Sequence, residues 1–230
     1  MVRAESVVDL IGNTPLVGIH NLSPNPAVKV YAKLEGQNPG GSVKDRIALR
    51  MIEAAEKEGR LTPGDTILEP SSGNTGIGLA MICRVRGYKL RIVLPENVSL
   101  ERRQLLEVFG AEIVSSPGEE GSNGAIRVAQ ELAKQGDAVF LYQYGNPANP
   151  EAHYVGTGPE IWRDCPEGDV FVAGLGTSGT LMGVGRYLKE QNPAVQIVAV
   201  EPPAGEQVQG LRSLEDGYVP PPEQRELRLG

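Results

Sequence analysis

The chain has 230 residues, with 22 lysines and arginines against 29 aspartates and glutamates and a net charge of −7 at pH 7. That acidic balance, with no basic run, argues against a protein that neutralises a phosphate backbone, so nucleic acid is not an expected partner. No apolar stretch approaches the ~20 residues of a bilayer span and MVRAESVVDL has no apolar core, so no membrane association and a cytoplasmic address by default are expected. Cys83 and Cys165 form no C-x-x-C pair, and neither His20 nor His153 stands near them. No metal site is expected.

In chain order, a strand or hairpin is expected at 15–20 and 28–34, followed by alternating helices and strands. Helices read at 43–58, 75–86, 100–109, 123–134, 152–163 and 180–191. Strands read at 66–69, 90–94, 111–114, 139–142, 170–173 and 196–200. The strands are short, β-branched and nearly all apolar, which predicts a parallel sheet covered by helices on both faces and an α/β class. Gly59, Gly87, Gly110 and Gly136 each follow a helix, the usual place of a left-handed residue. From Pro202 onward the alternation stops, and the tail PPPEQRELRLG offers no strand that could close a sheet.

Three segments carry chemistry. In GGSVKDRIALRMI (40–52), Lys44 stands in the first turn of a helix, where the partial positive charge favours a free amine over an ammonium. Lysines that attack carbonyls need that shift. Ser42 reads as the N-cap, with Asp45 completing an imperfect capping box. EPSSGNTGIG (69–78) follows a strand and opens a helix, offering backbone N–H groups, hydroxyls and an amide to a carboxylate or phosphate. AGLGTSGT (173–180) has the same placement. Its Gly174, Gly176 and Gly179 also satisfy G-x-G-x-x-G, and Glu201 ends the next strand, so a dinucleotide site is an alternative on spacing. A dinucleotide leaves Lys44 and the SSGNT turn unused. Pyridoxal phosphate accounts for all three: phosphate on the loop 176–180, aldehyde on Lys44, and the loop 71–75 left for an amino-acid carboxylate.

GGSVKDR, PSSGNTG, QYGNPANP (143–150) and GLGTSGT, in this order, resemble the cysteine synthases, pyridoxal-phosphate enzymes of the β-family or fold type II. The similarity runs from about Gly12 to Pro220 and is greatest to the second bacterial type. It implies two doubly wound parallel-sheet domains of the tryptophan synthase β-subunit-like fold. Residues 42–142 would form a smaller mobile domain, and 1–41 with 143–230 a larger cofactor-binding domain, incomplete at its C-terminal end because family members run to about 300 residues. Lys44 matches the Schiff-base lysine and Asn74 the asparagine that bonds the cofactor's 3′ oxygen. Ser71, Ser72, Gly73, Thr75 and Gln143 match the residues that hold the substrate carboxylate. Gly176, Thr177, Ser178, Gly179 and Thr180 match the phosphate cup, with Ser178 replacing a glycine common in relatives.

The implied reaction is a β-replacement: an O-activated serine, O-phosphoserine or O-acetylserine, loses its leaving group to give an aminoacrylate, and sulfide or another sulfur donor adds to give L-cysteine. Arg212, within GEQVQGLRSLEDGYVP (205–220), is a candidate for the phosphate of O-phosphoserine, since guanidinium offers bidentate bonds. The resemblance also implies a homodimer. The alternatives are a cystathionine β-synthase-like enzyme and a shortened, non-catalytic partner-binding homologue. Trp162 and His153, on one helix, read as packing rather than chemistry, and Arg102 and Arg103 as a solvated helix face or a closure contact.

Overall fold

The computed structural model describes residues 3–71, 73–206 and 208–216. An antiparallel pair, β1 (Leu16–Gly18) and β2 (Tyr31–Lys33), precedes α1 (Lys44–Lys57). The chain then runs through β3 (Thr66–Pro70), α2 (Asn74–Arg86), β4 (Lys89–Pro95), α3 (Leu100–Val108), β5 (Glu112–Ser116), α4 (Gly121–Ala133) and β6 (Val139–Phe140). It continues through α5 (Ala148–Ala152), a π turn (His153–Thr157), α6 (Gly158–Asp164), β7 (Val170–Gly174), α7 (Gly179–Gln191) and β8 (Gln196–Val200). Strands β3 to β6 form one parallel sheet in the order β5-β4-β3-β6, and β7 pairs with β8 in parallel. The chain is an α/β protein built of parallel sheets and helices.

The first sheet is covered as its apolar strands demand. Ile67, Ile92 and Leu94 are fully buried with Ile47, Met51 and Ile52 of α1 and with Leu79 and Ile82 of α2. Leu68 and Val93 pack against Ala125 and Ala129 of α4. Each such large apolar side chain contributes about 1.5–3 kcal/mol on burial. The second sheet departs from the expectation. Leu181, Val184 and Leu188 of α7 pack with Ile197 and Phe171, but Val170, Val172, Val198 and Val200 are exposed. Among the described residues a helix layer covers one face of this pair.

Two boundaries differ from the sequence reading for local reasons. The helix expected at 152–163 begins at Ala148, because Asn146 Oδ1 accepts the Ala148 N–H at 3.0 Å and Pro150 falls in the first turn, where its missing N–H costs nothing. The same helix widens into the π turn before Pro159, a residue that cannot donate to the carbonyl of Val155. Strand β6 stops at Phe140 rather than 142. Tyr142 takes a left-handed φ of 55°, and the Tyr142 and Gln143 N–H groups turn to the Glu69 carboxylate at 2.7 and 3.1 Å. Gly59, Gly87, Gly110 and Gly136 all have positive φ, as their positions after helices predict. Tail residues 217–230 lie outside the described residues.

Candidate active site

Lys44 is the first residue of α1, with its N–H bonded to Ser42 Oγ at 3.1 Å. The expected capping box does not form. Asp45 reaches past Ser42 to the Gly40 N–H, and a Cβ at Gly40 would lie 2.4 Å from its Oδ1. Asp45 is thus the clamp of the Gly40–Gly41 turn that aims Lys44, and burial pushes its carboxyl up to about 6. The Lys44 side chain is half-buried, and its amine has no hydrogen bond or ion pair among the described residues. Burial lowers its pKa below the usual lysine range, and the N-terminus of α1 acts in the same direction.

Lys44 shares a cavity of about 1110 Å³ with Gly176, Thr177, Ser178, Gly179 and Thr180. These five residues join the carboxyl end of β7 to the first turn of α7, a 13-residue helix whose N-terminal N–H groups favour an anion. At its two glycines the loop approaches its neighbours so closely that no side chain fits. A Cβ at Gly176 would lie 2.4 Å from the Gly210 carbonyl oxygen, and one at Gly179 would lie 1.9 Å from Asn149 Oδ1. Ser178 sits at φ 65°, ψ −9°, with its hydroxyl donating to the Thr177 carbonyl. The glycine of relatives suits that left-handed backbone better.

The other βα turn lies at the carboxyl end of β3. Ser71 is buried and its Oγ accepts the Gly73 and Gly76 N–H groups at 3.3 and 3.1 Å, closing the loop on itself. Thr75 donates to Gln143 Oε1 at 2.7 Å, so two residues 68 positions apart meet. Asn74 is exposed as the first residue of α2. Ser72 lies outside the described residues. Ser71, Gly73, Asn74, Thr75, Gln143 and Arg212 do not line the Lys44 cavity. Arg212 stacks over the Tyr144 ring, with Cζ 4.6 Å from the centroid, and donates to the Tyr144 hydroxyl at 3.2 Å. It therefore stands beside the Gln143 segment.

Three buried residues to which the sequence reading gave no chemical role tie these parts together. Asn149 Nδ2 donates to the Gln143 carbonyl at 2.9 Å and to Thr177 Oγ1 at 2.8 Å, linking the two loops. His153 is hydrogen-bonded through both ring nitrogens, to Thr157 and Thr180, instead of merely packing. Glu69 is fully buried under Tyr142 and Gln143. Burial pushes its carboxyl up to about 8 against the opposing effect of their N–H groups. The QYGNPANP motif could have pointed to Asn149, since a buried amide between two loops is what its position demands. His153 and Glu69 carry no local signal.

The donor set fits pyridoxal phosphate. A helix N-terminus with two threonine hydroxyls suits a phosphate, and an amine without a partner among the described residues, in the same cavity, suits an aldehyde. A family model described as "Pyridoxal-phosphate dependent enzyme" matches residues 7–227. A "Cysteine synthase" of Staphylococcus aureus is 50% identical over 226 residues, which cover 94% of this chain and 73% of the relative. A "Cysteine synthase B" of Pseudomonas aeruginosa is 47% identical over 221 residues, 95% of this chain and 74% of the relative. A crystal structure of an O-ureido-L-serine synthase superposes with a TM-score of 0.89 at 42% identity, covering 95% of this chain and 72% of that one. The chain belongs to the pyridoxal-phosphate dependent enzymes and, within them, to the cysteine synthase family. Its cofactor is pyridoxal phosphate. Among the described residues no helix is long and apolar enough to cross a membrane.

Proposed function

We propose that this enzyme makes L-cysteine by β-replacement, exchanging the O-linked group of an activated serine for sulfide or another sulfur donor. The observation that carries the reading is Lys44: a desolvated amine with no partner among the described residues, in one cavity with a phosphate-type loop. Bound pyridoxal phosphate supplies an aldehyde for amines and an electron sink that acidifies the α carbon of an amino acid. Lys44 Nζ takes the substrate's α proton and later returns it, which requires an amine that is neutral at working pH. Gly176 to Thr180 hold the phosphate through the α7 N-terminus and their hydroxyls. Asn74 is the partner of the cofactor's ring oxygen, while Ser71, Ser72, Gly73, Thr75 and Gln143 bind the substrate carboxylate. The Thr75–Gln143 bond is exchanged for bonds to that carboxylate. The smaller domain, 42–142, closes over the ligand, and the enzyme works as a cytoplasmic homodimer.

Arg212 selects the leaving group. Its guanidinium, already set beside Tyr144 and the Gln143 segment, offers charge-assisted bonds to the phosphate of O-phosphoserine. The test is direct. Purified enzyme with added pyridoxal phosphate develops a visible absorbance band that Lys44→Ala lacks, and cysteine forms when sulfide and either activated serine are supplied. Arg212→Ala lowers kcat/KM for O-phosphoserine at least about tenfold more than for O-acetylserine, the worth of one charge-assisted bond. An equal loss on both substrates removes Arg212 from substrate selection. A band that persists unchanged in Lys44→Ala removes Lys44 from the chemistry.

A further inference from the structure

His153 is 1% exposed, yet neither ring nitrogen is idle. Nδ1 lies 2.9 Å from Thr157 Oγ1 and Nε2 lies 3.2 Å from Thr180 Oγ1. Both threonines line the cavity that contains Lys44, and Thr180 is the second residue of α7. The π turn that begins at His153 brings Thr157 back to the ring. Gly183 opens the room for it, since a Cβ there would stand 2.6 Å from His153 Cβ and 2.1 Å from the Pro150 carbonyl oxygen. This is a built site, fixed by two segments of chain, the π turn with the end of α5 before it and the first turns of α7.

Burial pushes the imidazole down to about 3, with the positive charges of Lys44 and Arg46 adding to the effect and Glu160 opposing it. The ring is therefore neutral, with one N–H and one lone pair. Two arrangements satisfy both neighbours. In the first, Nδ1–H donates to Thr157 and Nε2 accepts from the Thr180 hydroxyl. The Thr180 hydrogen is then turned inward, the free hydroxyl hydrogen is that of Thr157, and a phosphate at the α7 N-terminus meets only lone pairs on Thr180 Oγ1. In the second, Thr157 donates to Nδ1 and Nε2–H donates to Thr180 Oγ1, whose own hydrogen is left to point into the cavity. A dianion seated at the N-terminus of α7, where Thr180 is the second residue, finds Thr180 as a donor in the second alone. Thr177 follows the same rule: its Oγ1 accepts from Asn149 Nδ2 at 2.8 Å, so its hydrogen is also available outward.

We propose that His153 is a positioning residue of the phosphate site, held as the Nε2–H tautomer, and that the directed chain Thr157 to His153 to Thr180 presents the Thr180 hydroxyl as a donor to the cofactor phosphate. The proposal rests on the cofactor reading above and adds to it a residue and a proton position. Its first test needs no substitution at the site. The chain contains two histidines, His20 and His153, so 15N-histidine labelling with a His20→Gln variant assigns the His153 signals in the folded protein. A protonated Nε2 and an unprotonated Nδ1, unchanged from pH 5 to 8, is the expected result. A protonated Nδ1 overturns the proposal.

The second test compares pyridoxal phosphate with pyridoxal, which lacks the phosphate, by titrating the visible band. His153→Ala and Thr180→Val each weaken pyridoxal phosphate about 10- to 100-fold, the worth of one hydrogen bond to a charged group. Pyridoxal binding stays within about twofold. The double variant is no weaker than Thr180→Val, because His153 acts through that hydroxyl. An equal loss for both aldehydes means that His153 is structural and overturns the proposal alone. Failure of the unaltered protein to bind either aldehyde overturns the cofactor reading, and the proposal with it.

Discussion

Arg46 stands two residues after Lys44 and anchors the helix that carries it, so Arg46→Ala tests how the site is held. Its side chain is 5% exposed. Nε donates to Glu35 Oε2 at 2.6 Å, and Nη1 donates to Glu160 Oε1 at 2.7 Å. Nη2 donates to Glu35 Oε1 at 2.8 Å, Glu160 Oε2 at 2.8 Å and Thr14 Oγ1 at 3.1 Å. The network joins α1 to α6 and to the segment before α1. Removing one partner of such a buried ionic cluster costs about 3–5 kcal/mol, because carboxylates are left desolvated without a counter-charge. Lys33 Nζ still reaches Glu160 Oε2 at 2.8 Å, which places the expected loss near the lower end, about 3 kcal/mol. With a urea slope of about 2–3 kcal/mol/M, the midpoint falls by roughly 1 M or slightly more.

The same variant has a pH signature. Burial alone would raise the Glu160 pKa, but the bonds from Arg46 and Lys33 outweigh it and hold the carboxyl at about 2, below its ordinary 4.5. A carboxyl depressed in the folded state stabilises fully above its unfolded pKa, and that contribution is lost as pH falls from 4.5 through about 2. The gap between Arg46→Ala and the unaltered protein is therefore widest near neutrality and narrows below pH 4.5. Urea titrations by circular dichroism at pH 7, 5, 4 and 3 measure it. A midpoint change under about 0.3 M at pH 7, with the slope unchanged, would refute the assignment of this cluster as the anchor of α1.

Two further outcomes are expected. Ser178→Gly relieves a left-handed backbone that costs a non-glycine residue about 1–2 kcal/mol, against about 0.4–1 kcal/mol of added freedom in the unfolded chain; a net gain between zero and about 1.6 kcal/mol in the urea midpoint analysis is expected, and a clear loss means that the Ser178 hydroxyl bond to Thr177 matters more than the strain. Glu69, raised to about 8 by burial, makes the fold lose stability as pH rises from its ordinary 4.5 through about 8; Glu69→Gln removes that slope while forfeiting one backbone bond, about 1–3 kcal/mol, and a slope that survives the substitution assigns it to another group.

Local patterns in the sequence are enough to locate the βα units, both glycine-rich turns and Lys44 at the head of a helix. Each depends on interactions within a few residues: apolar runs that must be buried, glycines whose φ is positive, and N–H groups left over at a helix start. The same locality misled where a nearer partner was assumed. Asp45 bonds Gly40 rather than closing a box on Ser42, and the helix expected from 152 starts at Ala148, inside QYGNPANP, where the Asn146 side chain accepts the Ala148 N–H. Tertiary structure alone decided which residues hold the site in shape. Glu69 meets Gln143 across 74 positions, Arg46 meets Glu160 across 114, and His153 meets Thr180 across 27. These are buried polar groups whose pairing is compulsory once the surrounding core excludes water. Which partner each finds depends on how α1, α6 and α7 pack, and no short-range pattern in the chain encodes that.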